Sequence, residues 1–91
     1  MANKRTLPHP FGRVFLQALK DTGFTRYKLR KLTGRSDAQI YGFAKGSNAP
    51  TIHTIIWIAE SIGMEPEELF RRLYEAIKED EQQGLVTADP E

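Results

Sequence analysis

Residues 24–46 read FTRYKLRKLTGRSDAQIYGFAKG. Thr25 suits the N-cap of a helix, because its hydroxyl accepts a hydrogen bond from a first-turn N–H. The helix runs to about Thr33 and is expected to turn Leu29 and Leu32 inward. Gly34 then breaks the chain, and Ser36 caps a second helix. Asp37 falls in its first turn, where the helix dipole favours an anion. Ile40 and Phe43 form its inward stripe before Gly46. Two short helices joined by a sharp glycine link make a helix-turn-helix, with Leu29, Leu32, Ile40 and Phe43 expected to hold the pair together.

The flanking sequence extends the same pattern. Pro10 suits the first turn of a helix, since its missing N–H costs nothing there. Phe11, Val14, Phe15, Ala18 and Leu19 follow at helical spacing, and Gly23 is placed to end the helix. Downstream, Gly46, Asn48 and Pro50 mark a loop. Thr51 caps a fourth helix with Ile52, Ile55, Ile58, Ala59 and Ile62 on one face, and Gly63 stops it. Pro66 opens a fifth, whose stripe is Leu69, Phe70, Leu73, Tyr74 and Ile77. That helix is expected to fray over residues 78–83. No stretch alternates apolar and polar residues, so the prediction is an all-α bundle of about five helices and no sheet. The expected organisation is a flexible basic arm over 1–9, one helix-turn-helix domain over 10–83, and a disordered tail over 84–91.

Composition narrows the function. The 91 residues suffice for one domain with one core, and 40% apolar with 27% charged is ordinary for a soluble fold. Cysteine is absent, so disulfides, thiolate metal sites and cysteine nucleophiles are excluded. No apolar run approaches membrane-span length, and no leader pattern follows Lys4 and Arg5, so a cytoplasmic protein is expected. His9 and His53 lack metal-ligand spacing, and no phosphate-cradling glycine loop or catalytic triad pattern is present. An enzyme is therefore not expected, nor is a metal or other cofactor. The net charge of +1 hides an asymmetry: residues 1–35 carry nine Lys or Arg against one acid, and residues 36–91 carry four against eleven. One half is suited to a polyanion, the other to water or a partner.

The ordered set Thr25, Leu29, Gly34, Ser36, Ile40, Gly46, Pro50, Ile55, Ala59, Ile62 and Gly63 resembles the lambda-repressor/Cro-type, or XRE-like, helix-turn-helix family over about residues 11–70. Three positions depart from that family: Arg26 stands where it usually has Gln, Arg30 replaces an Ala, and Ala44 replaces a Glu. The resemblance implies a lambda-repressor-like fold and a sequence-specific regulator of transcription, a repressor, with the helix 36–45 in the major groove of duplex DNA. With Ile40 and Phe43 inward, 100° per residue turns Ala38, Tyr41, Gly42 and Lys45 outward, flanked by Asp37 and Gln39. Gln39 suits an adenine edge, Asp37 a cytosine amino group, Ala38 a thymine methyl and Tyr41 a base or phosphate. Gly42 either admits close approach of DNA or relieves crowding, and Asp37 either reads a base or only complements the dipole.

Phosphate contacts are expected from Arg26 and Lys28 at the start of the second helix, from Arg35 and Ser36 at the turn, and from Lys45. The resemblance adds Ser47, Asn48 and Thr51 before the fourth helix. A homodimer is expected through the C-terminal half. Trp57 lies about 160° from Ile55 and Ala59, a position the family usually leaves polar, and aromatics concentrate at interfaces. Phe70, Leu73, Tyr74 and Ile77 would complete the contact. The rival reading keeps the fold and changes the partner: an antitoxin-like or phage-type accessory protein that mainly contacts another protein.

Overall fold

A computed structural model of the chain describes residues 8–47 and 49–84. It has five helices: α1 (Phe11–Thr22), α2 (Arg26–Thr33), α3 (Asp37–Lys45), α4 (Ile52–Ile62) and α5 (Pro66–Gln82). Among the described residues there is no strand. The helix starts are side-chain capped where the sequence predicts: Thr25, Ser36 and Thr51 accept from the N–H groups of Lys28, Gln39 and Thr54. Four helices end on a left-handed glycine, at Gly23, Gly34, Gly46 and Gly63.

The start of α1 differs from expectation. Pro10 is the cap residue itself, and the imidazole of His9 does the capping: its Nδ1 accepts the N–H of Phe11 at 3.1 Å. The backbone N–H of His9 donates to the carbonyl of Gly46 at 2.9 Å, and its ring is buried. His9 is therefore part of the fold, although the sequence places it in the arm. Residues 1–7 of that arm, Asn48, and residues 85–91 of the expected tail lie outside the described residues.

One core joins all five helices. Phe11, Phe15, Leu29, Ile40, Ile58 and Leu69 are fully enclosed, and Phe43 stands edge-on to Phe11 and Phe15. α1 crosses α3 so closely that an added Cβ on Gly12 would sit 2.7 Å from the carbonyl oxygen of Ala44. Two expected core residues are outside. Leu32 is 60% exposed, because it is turned to the flank of α2 away from α3, where none of the five described helices covers it. Ile52 is 57% exposed, because it sits on the first turn of α4, beside rather than beneath α5.

The expected fraying of α5 does not occur; the helix continues to Gln82. The reason is tertiary. Asp80 is buried, and Arg13 of α1 donates to its Oδ1 at 2.7 Å. Arg72 makes a second tie between the same helices, to Asp21 at 2.8 Å, and pairs within α5 with Glu68, also at 2.8 Å. That guanidinium lowers the carboxyls of Asp21 and Glu68 below their ordinary values near 3.8 and 4.5. Groups with depressed folded values stabilise the fold above their unfolded values and stop doing so as pH falls through the folded ones. The melting temperature is thus expected to hold down to about pH 5 and to fall below about pH 4. In Arg72→Met that low-pH fall becomes shallower; an unchanged profile would assign the acid lability elsewhere.

Candidate nucleic-acid interface

The interface is set by how α2 meets α3. Leu29 and Ile40 are buried between the helices, which fixes the rotation of each. Arg26 and Arg30 then project from the flank of α2 that faces α3, and Tyr41 and Asp37 from the flank of α3 that faces α2. The contacts agree: Arg26 lies over the Tyr41 ring at 5.3 Å, and Arg30 Nε is 3.7 Å from Asp37 Oδ1.

Opposite Ile40, the outermost line of α3 is Ala38, Gly42 and Lys45. Ala38, Gln39, Tyr41 and Lys45 are exposed. A Cβ built on Gly42 meets no atom of the described residues within 4 Å beyond its own helix backbone and chain neighbours, so crowding among the described residues does not explain this glycine. A shallow groove of about 220 Å³ runs along Ala38, Gln39, Gly42 and Phe43 to Ala49 of the following loop. Gln39 thus edges the groove on one side of α3, and Tyr41 stands on the other. Asp37 is open to solvent, but its carboxylate is paired with Arg30 as well as placed in the first turn of α3.

The cations are held in an arrangement the sequence does not announce. Five of the six between Arg26 and Lys45 lie over an aromatic ring. Arg26 and Lys45 share Tyr41, Arg30 and Lys31 share Tyr27, and Arg35 lies 4.2 Å from the centre of Trp57. Tyr27, Arg30 and Lys31 stand at the i, i+3, i+4 spacing of one helix face, a legible signal for Tyr27 that residue-by-residue reading passes over. Lys28 is separate. Two residues on from Arg26, it leaves α2 about 200° away, on the flank turned from α3. Arg26 and Lys28 therefore leave α2 on different flanks. The Ser36 hydroxyl is engaged as a cap but keeps its own proton for donation. That of Thr51 accepts from Thr54 N–H and donates to Thr54 Oγ1 at 3.0 Å. Ser47 is exposed after Gly46.

The surface expected to carry a second copy is rearranged. Trp57 is half-buried, with one side on Phe43 at 5.9 Å and Arg35 over its ring. It is covered from within the chain, so it no longer argues for a partner. Leu73 is in the core and presents no surface, and Ile77 is partly buried against the core. Phe70 and Tyr74 remain exposed on α5, and Phe70 stands near Ile52 and Ile56 of α4, which the sequence assigns to no interface. Ile52, Ile56, Pro66 and Phe70 line a shallow apolar groove of about 360 Å³.

Among the described residues, no helix is long and apolar enough to cross a membrane, and no group of three or more His, Asp or Glu could hold a metal ion. No significant match was found among curated proteins or among solved structures. A family model does match, over residues 15–73, from the middle of α1 into α5 and across the whole two-helix unit. Capped helices, a left-handed glycine between α2 and α3 and this match together place the chain in the Cro/C1-type helix-turn-helix DNA-binding domain family.

Proposed function

We propose that this protein is a sequence-specific transcriptional repressor that lays α3 in the major groove of duplex DNA. The observation that carries the reading is the outer face of α3. Its central line is two small residues and a lysine, so the helix can approach base edges closely. On the side toward α2 the same face is bordered by Tyr41, over which Arg26 and Lys45 lie. Small residues at the centre permit depth, and cations at the border bind phosphate, which sets register. Base readout falls to Gln39, with Ala38 on a thymine methyl; the nearness of Arg30 to Asp37, 3.7 Å, favours a dipole and ion-pair role for that carboxylate.

Selection of bound sites from random duplexes tests the proposal. The wild type is expected to enrich one sequence, with affinity that falls steeply with salt. Gln39→Ala is expected to relax one or two positions of that sequence and to cost about 1–3 kcal/mol at the preferred base. Identical selected sequences for both proteins would remove Gln39 from readout. A wild type that binds no duplex at low salt would leave the helix-turn-helix as a protein-interaction module.

The repressor is proposed to act as a homodimer through Phe70 and Tyr74 with Ile52 and Ile56. These four are large, apolar and exposed on adjoining helices, and large exposed apolar patches mark interaction sites. A two-fold pair would set two copies of α3 about one DNA turn, roughly 34 Å, apart and demand an inverted-repeat site. Sedimentation equilibrium is expected to show a dimer for the wild type and a monomer for Phe70→Glu. A wild type that stays monomeric at high micromolar concentration and protects a single half-site would end the dimer proposal.

A further inference from the structure

Tyr41 stands at the seam between α2 and α3, and half of it is exposed. Arg26, the first residue of α2, and Lys45, the last of α3, lie over its ring at 5.3 and 5.5 Å. Among the described residues neither cation has a carboxylate within 4 Å, whereas Arg13, Arg30, Arg71 and Arg72 all do. The difference matters chemically. A carboxylate that holds a cation also cancels its charge. A ring holds it through the quadrupole and leaves the charge intact for another anion. The direction of Tyr41 matters as well. It leaves α3 about 100° from Ile40, toward α2, and not along the outermost line of Ala38 and Gly42. Its ring is spent on the cations at the border of the interface.

We propose that Tyr41 is a positioning residue that pre-sets Arg26 and Lys45 for the phosphates of duplex DNA, and that its hydroxyl reads no base; this rests on the DNA-binding reading above. Long cationic side chains lose rotamer freedom when they bind, and a ring that already holds them reduces that loss. The gain exists only if the seated positions are the ones that meet phosphate. If the cations had to leave the ring to bind, removing it would tighten binding.

Tyr41→Phe and Tyr41→Leu separate these cases, with circular dichroism to confirm that both fold and Tyr41→Met as a second ring-free variant. In the free protein, the side-chain protons of Arg26 and Lys45 are expected to show upfield ring-current shifts in the wild type and in Tyr41→Phe. In Tyr41→Leu those shifts are lost. Binding is then measured on a 20-base-pair duplex of random sequence and on the selected site, over a range of salt. Tyr41→Leu is expected to bind both about 4–25-fold more weakly, from roughly 2–5-fold per cation. The slope of log K against log salt should not change, because no charge is removed. Tyr41→Phe should match the wild type in affinity and in selected sequence. Tyr41→Leu binding as tightly as the wild type, or more tightly, would overturn the proposal. So would a Tyr41→Phe that loses its preferred sequence. A wild type that binds neither duplex would overturn the DNA-binding reading itself, an outcome the ring-current shifts in free protein do not depend on.

Discussion

Gly12→Ala is expected to destabilise the fold by about 3 kcal/mol, while Gly42→Ala stabilises it by about 0.5–1 kcal/mol. Both glycines are inside helices, where replacement by alanine ordinarily helps by reducing the freedom of the unfolded chain. Their surroundings invert the sign at Gly12. A Cβ there meets the carbonyl oxygen of Ala44 at 2.7 Å and the backbone nitrogen of Gly46 at 3.1 Å. These are backbone atoms at the end of α3, and they cannot swing aside as a side-chain tip would. The methyl must push α1 off α3 and disturb Phe11, Phe15 and Phe43, whose rings cross at this junction. At Gly42 an added Cβ meets no atom of the described residues within 4 Å beyond its own helix backbone and chain neighbours. Denaturant unfolding of the two variants checks the pair directly. Equal shifts in one direction would mean that the close crossing of α1 on α3 does not govern Gly12. The same Gly42→Ala protein carries a functional readout. If DNA comes within contact of the α3 backbone, it binds the selected site more weakly in spite of being more stable.

The second large effect concerns affinity. Arg26→Ala combined with Lys45→Ala is expected to weaken binding to every duplex, preferred or random, by about 10–100-fold at low salt. The salt slope should flatten by about 1.8, as two phosphate contacts are lost. Lys28→Ala, on the far flank of α2, is the internal control and is expected to change affinity by less than about 3-fold. Arg35→Ala is expected to fall between. Its guanidinium lies on Trp57 and joins the α2–α3 turn to α4, so its loss loosens the unit as well as removing a charge. Fluorescence of Trp57, the only tryptophan, reports on that joint. A double variant with wild-type affinity, melting as the wild type does, would dissociate the ring-held cations from DNA binding.

Local chemistry alone determined the helices. A hydroxyl that accepts a first-turn N–H, a proline that needs no donor, and a glycine that enters the left-handed region act within four residues of themselves. Thr25, Ser36, Thr51, Pro66 and the four terminal glycines could therefore be read before any packing was known. The spacing of Leu29 and Ile40 likewise fixed which sides of α2 and α3 turn inward, and from that Ala38, Gln39 and Gly42 as the outer surface of α3. Tertiary structure decided whatever depends on a neighbour distant in sequence. Leu32 and Ile52 have core-like periodicity, yet none of the described helices buries them. Residues 78–82 have the composition of a fraying end, yet Asp80 is tied to Arg13 across the bundle. Trp57 is in an outward register, yet Arg35 and Phe43 cover it. His9 looks like part of an arm, yet its ring caps α1. The positions of Arg26 and Arg35 belong to the same class. A run of Arg and Lys specifies charge, but side chains of that length reach in many directions. Only the rings of Tyr41 and Trp57, brought beside Arg26 and Arg35 by the fold, decide where those two charges come to rest.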